Sequence, residues 1–143
     1  MTTRALFFVF GIGLLATGYS AVQAQAPANV NDGIYTAAQA DRGKAVFAMT
    51  CAGCHGDKGE GGTAGPTLTG PDFVNGYKDG SAGALLNKIS QDMPSSAPGS
   101  LEAQQYADVF AYVLSMNKYP AGQTEAPKDA AALKDVKMAA PKS

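Results

Sequence analysis

Between Thr36 and about Thr50, small and apolar residues (Ala40, Gly43, Ala45, Val46, Phe47, Met49) recur with the spacing of one side of a helix. Thr36 stands where an N-cap belongs. A second helical pattern, with Ala84, Leu85, Leu86 and Ile89 apolar, covers about Ser81 to Ser90. The clearest pattern follows Ser100, a good N-cap residue, with Glu102 placed for the first turn. Ala103, Tyr106, Phe110, Val113 and Leu114 keep helical spacing until Asn117 to Gly122, where Pro120 stops it. Gly56, Gly59, Gly61, Gly62, Gly65 and Pro66 exclude regular structure in one long loop, and Gln91 to Gly99 reads as another. Asp129 to Lys137 predicts no more than a weak surface helix. Neither an internal repeat nor a period-two apolar run argues for a sheet. The pattern therefore predicts an all-α domain of three to four helices over residues 36–118, with a loose arm at 25–35 and a tail at 119–143.

The start of the chain follows another rule. Arg4 gives a short positive start, residues 5–19 are apolar, and small residues surround Ala24 and Ala26. This is the order of a secretory signal, read as residues 1–24. Cleavage after Ala24 is favoured over Ala26, which would leave Pro27 just beyond the bond. An uncleaved anchor fits less well, because the run is short for a bilayer and contains Gly11, Gly13 and Gly18. The expectation is a periplasmic protein with no stable membrane insertion after cleavage.

Composition narrows the chemistry. The chain has 143 residues, 16% charged, with a formal net charge of −1, so it lacks the basic excess that nucleic-acid binding needs. It holds two cysteines, one histidine and no tryptophan. All three thiol and imidazole groups fall in Cys51-Ala52-Gly53-Cys54-His55, the attachment signature of a c-type haem. Each thiol can add to one haem vinyl group, and the adjacent histidine is delivered to the iron. A thioredoxin-like pair would want a strand–helix context that is not seen. A structural zinc site usually needs four protein ligands. A disulfide across so short a loop would constrain little and leave His55 unexplained. A core of this size with so many loops also gains from a cofactor that fills its interior.

The other axial position cannot be a second histidine of this chain. Methionine is the next ligand to consider, since a Met/His pair suits electron transfer. Met49 is too close to Cys51, Met116 lies within the last helix and Met138 in the tail. Met93 stands in a loop before Pro94, which biases it to extended backbone, far enough along the chain to reach the other face of the ring. A methionine packing on the haem edge is the plainer alternative.

Gly43, Phe47, the Cys51–His55 motif, residues 65–70 (Gly-Pro-Thr-Leu-Thr-Gly), Met93-Pro94 and residues 106–114 together resemble the class I cytochromes c. The resemblance covers about Thr36 to Lys118. It implies that the first and last helices cross at Gly43, that Phe47 meets an aromatic such as Tyr112, and that the Pro66 carbonyl bonds the other ring nitrogen of His55. Residues 93–101, 106–108 and 117–122 are similar, less specifically, to cytochromes serving bacterial quinoprotein dehydrogenases or to cytochrome subunits of oxidases. The implied protein is a mono-haem electron carrier, not itself an enzyme, with one haem c held through Cys51 and Cys54 and by His55, Pro66 and Met93. Its partners would be redox proteins such as a dehydrogenase or terminal oxidase. A subunit bound within such a complex and a five-coordinate gas-binding haem protein are the alternatives.

Overall fold

The computed structural model describes residues 26–142, so the segment read as an export signal lies outside the described residues. Among the described residues there are five α-helices: α1 (Ala37–Thr50), α2 (Ala52–His55), α3 (Gly70–Tyr77), α4 (Ala82–Asp92) and α5 (Ala103–Met116). Two 3-10 turns, Val30–Asp32 and Ala130–Leu133, flank them in sequence. Among the described residues there are only isolated β-bridges, and no helix is long and apolar enough to cross a membrane. The all-α expectation holds.

Helix α1 begins where its sequence says it should: the Thr36 hydroxyl accepts from the Gln39 N–H at 3.1 Å. It crosses α5 at Gly43, where a β-carbon would overlap the Asp108 backbone carbonyl. Phe47 then meets Tyr112 edge-on, with ring centroids 5.3 Å apart. Phe47, Phe110 and Leu114 are fully buried beside this crossing. At its edge Arg42 forks onto Asp108 of α5, donating from Nε at 3.0 Å and Nη2 at 2.9 Å. The same Nη2 reaches Glu125 at 2.8 Å. These carboxylates, Asp108 first, hold the Arg42 guanidinium above its ordinary pKa.

Three expectations are corrected. Helix α5 does not start behind Ser100 but at Ala103, with Glu102 as N-cap and the Gln105 side chain accepting the Glu102 N–H at 3.0 Å. The Ser100 N–H is instead spent in a turn, on Ala97 O at 3.3 Å. Helix α3 was not anticipated. Gly70-Pro71 reads as a breaker, yet proline is tolerated in a helix's first turn, where its missing N–H has no partner to lose. The arm and the tail, finally, are not loose. Val30, Ile34 and Tyr35 of the arm share the core with Tyr119, Ala126, Leu133, Val136 and Met138 of the tail.

The reason is backbone pairing that no local pattern encodes. Residues 136–138 run between 28–30 and 80–82: Val30 N–H donates to Lys137 O (3.0 Å), Lys137 N–H to Ala28 O (3.0 Å), Ala82 N–H to Val136 O (2.8 Å) and Met138 N–H to Gly80 O (2.9 Å). The Ala82 bond also satisfies a donor left over at the start of α4. Buried Gln39 clamps Ala126 with both amide atoms, at 3.1 and 2.7 Å. Gly33 and Gly122 touch so closely that neither leaves room for a β-carbon.

Candidate functional site

Helix α2 is a single turn. Cys54 N–H and His55 N–H both donate to Cys51 O, at 3.1 and 3.0 Å, and this winding turns Cys51, Cys54 and His55 to one cleft. Both cysteines are free. Burial pushes the Cys51 thiol pKa up, against the pull of the Thr50 hydroxyl 3.4 Å away. Cys54 is exposed and lies at the mouth.

The loop after α2 folds back on the histidine. Gly61 N–H donates to His55 O (2.7 Å) and Leu68 N–H to Gly59 O (2.7 Å), which bring Pro66 beside the imidazole. The Pro66 carbonyl lies 2.8 Å from His55 Nδ1. A carbonyl can only accept, so Nδ1 carries a hydrogen, and in the neutral imidazole the lone pair is then on Nε2. Nε2 has no partner among the described residues, and no buried side-chain nitrogen or oxygen among them is left unpaired, so Nε2 opens to the cleft. Gly65 makes this approach possible, since a β-carbon there would come within 3.0 Å of Nδ1.

The cleft holds about 830 Å³ of empty space when its open mouth is counted. Phe47, Leu68, Phe73, Leu85, Val109 and Val113 give it apolar walls. Met93 lines it from the loop after α4, in extended backbone (φ −119°, ψ 151°) as its proline neighbour favours. All five residues singled out from the sequence, Cys51, Cys54, His55, Pro66 and Met93, therefore line one cleft. The other methionines among the described residues do not: Met49 is 76% exposed, Met138 is buried within the tail, and Met116 packs against the core outside the cleft lining.

Residues that sequence reasoning passed over support the site. Phe73 and Tyr77 of α3 form part of its wall, a pair whose i, i+4 spacing was the available signal. Asn117, read only as a helix end, is 5% exposed and clamps the loop beyond Pro66. Its amide donates to Leu68 O (2.8 Å) and Val113 O (2.9 Å) and accepts from Gly70 N–H (3.0 Å). Tyr106, read as an apolar face residue, sends its hydroxyl to Met93 O at 2.8 Å.

An apolar cleft with two free thiols and an open imidazole nitrogen fits a covalently held haem, and the fold and this turn define a mono-haem class I cytochrome c. More narrowly, the chain belongs to the family described as cytochrome c oxidase, cbb3-type, subunit III, which it matches over residues 38–113. Membership implies haem-based electron transfer. No curated protein matches the sequence. Among solved structures, the sulfane dehydrogenase SoxCD from Paracoccus pantotrophus includes a similar chain, with 21% identity and a TM-score of 0.49. That match covers 87% of this chain and 68% of the other.

Proposed function

We propose that this chain is an exported, soluble single-electron carrier, bearing one haem c on Cys51 and Cys54 with His55 and Met93 as axial ligands. One observation carries the reading: the 2.8 Å contact of Nδ1 with Pro66 O leaves Nε2 as the coordinating nitrogen, in the cleft that Met93 also lines. When bound, haem c supplies the one-electron ferrous–ferric couple. The chain's part is to bind and exclude water. Cys51 and Cys54 would hold the haem as thioethers, each thiol contributing its S–H across one vinyl group, and the apolar walls would keep solvent from the ring. With Met93 supplying a thioether sulfur and His55 an imidazole nitrogen, such a site would favour the reduced state. Cys54 and its neighbour Gly53 are exposed, so this edge is where a redox partner docks, in a small and transient contact. A partner such as a dehydrogenase or terminal oxidase meets that description. The chain itself transforms no substrate. Residues 1–24 serve as the export signal, and the mature periplasmic protein runs from Gln25.

Optical spectra of the mature ferric and ferrous protein, with Met93→Ala beside it, test the reading. The wild type should be low-spin with the weak long-wavelength band of iron–sulfur ligation, lost in Met93→Ala. A high-spin spectrum that the substitution leaves unchanged, with ready carbon monoxide binding, would replace the carrier with a five-coordinate gas-binding protein.

A further inference from the structure

The loop from Met93 to Leu101 covers one side of the cleft yet is poorly tied to the rest of the molecule. Ser95 to Ser100 are exposed. Two of its bonds are internal, Ala97 N–H to Pro94 O (2.9 Å) and Ser100 N–H to Ala97 O (3.3 Å). Apart from the helical ladder of α4, the described residues give it one polar attachment, the hydroxyl of Tyr106. That oxygen donates to Met93 O at 2.8 Å and accepts from Leu101 N–H at 3.2 Å. A single atom thus joins the two ends of the loop. Its carrier is rigid, for Tyr106 is 5% exposed on the first turns of α5, the helix locked against α1. Tyr106 does not itself line the cleft.

We propose that the Tyr106 hydroxyl is the latch of the 93–101 loop, a positioning residue that decides how readily Met93 yields its place to another ligand. The inference rests on Met93 being the axial ligand. A loop held at both ends keeps the Met93 backbone in one place. Without the hydroxyl, the Met93 carbonyl and the Leu101 N–H turn to water, and the loop can swing open while the helices stay closed. A competing ligand then sees a larger fraction of open protein, and its apparent affinity rises in proportion.

The test uses the haem-loaded full protein and imidazole as the competing ligand. Tyr106→Phe keeps the ring and removes only the oxygen; Tyr35→Phe, which loses a buried 2.6 Å bond to Tyr119 O that involves no residue of the loop, is the control. Tyr106→Phe should retain the iron–sulfur band in the absence of imidazole and bind imidazole about 3- to 10-fold more tightly than wild type, as loss of hydrogen bonds of ordinary strength implies. Tyr35→Phe should lower the urea midpoint and leave imidazole affinity alone. Equal imidazole affinity in Tyr106→Phe and wild type, or an equal gain in the control, overturns the latch. A wild type without the band overturns Met93 ligation itself, and the latch with it. Amide exchange in the wild type gives a reading that needs no variant. The Leu101 N–H should be protected relative to that of Ser96, and equal exchange at the two would also sink the proposal.

Discussion

Asn117 shows how far one side chain can specify a cleft that it does not itself line. Its two amide hydrogens go to the carbonyls of Leu68 and Val113 and its oxygen takes the Gly70 N–H, so the amide has only one workable orientation. Those bonds tie the end of α5 to the strand of loop that delivers Pro66 to His55. Asn117→Ala would leave the Leu68 carbonyl and the Gly70 N–H without partners in a part-buried place. At 1–3 kcal/mol for a buried group left unpaired, the loss of unfolding free energy should reach roughly 2–4 kcal/mol, read from urea melts. A loss below about 0.5 kcal/mol, the level of ordinary surface substitutions, would mean that the loop is held by other contacts. Gly65 works at the same scale by what it lacks. A β-carbon would press on both the imidazole and the Cys54 carbonyl, each at 3.0 Å, so the glycine is what lets the Pro66 carbonyl approach His55.

Among the elements, the crossing of α1 and α5 sets the frame on which the one-turn α2 is hung. Glycine costs a helix about 1 kcal/mol relative to alanine, so Gly43→Ala gains that much in propensity. The new methyl, however, would fall on the Asp108 carbonyl, which is helix backbone and cannot swing aside. Forced separation of packed elements costs about 3 kcal/mol, and the net loss should be about 2 kcal/mol in a urea melt. Gly76→Ala on α3 is the contrast, for nothing lies within 4 Å of its added carbon, and it should gain up to about 1 kcal/mol. A stabilised Gly43→Ala would show that the crossing is looser than its geometry. This frame was legible in the sequence, because Gly43, Phe47 and the Cys51–His55 run are local signals with fixed consequences. Helix α3 was not, since Gly70, Pro71 and Gly76 outweigh the Phe73–Tyr77 pair in any window of that length. The start of α5 was misplaced because Ser100 and Glu102 both offer side-chain acceptors, and the choice fell to a side chain within the helix, Tyr106, which holds the Leu101 N–H five residues back.

At the scale of the molecule, the two ends of the described chain close around the core, which the tail's irregular spacing of Leu133, Val136 and Met138 concealed. The closure has a titratable seam. The Tyr35 hydroxyl donates to Tyr119 O at 2.6 Å, and Gly122 N–H returns a bond to Tyr35 O at 2.6 Å. Burial raises the pKa of both the Tyr35 and the Tyr119 phenols. A raised phenol pKa means that the folded protein holds the proton more tightly than the unfolded chain, whose tyrosines titrate near about 10. The stabilisation is therefore fully present below about pH 10 and is lost as pH rises through the folded values. Ionised Tyr35 would also become an acceptor facing a carbonyl, with no hydrogen to give. The urea midpoint of the wild type should accordingly fall above about pH 10, and Tyr35→Phe, less stable at neutral pH, should fall less steeply over the same range. Other basic-range groups, Lys88 among them, titrate alike in both proteins, so the difference in slope isolates the phenol. Parallel curves would show that Tyr35 ionises as freely folded as unfolded, and that the seam between arm and tail opens before the rest of the molecule does.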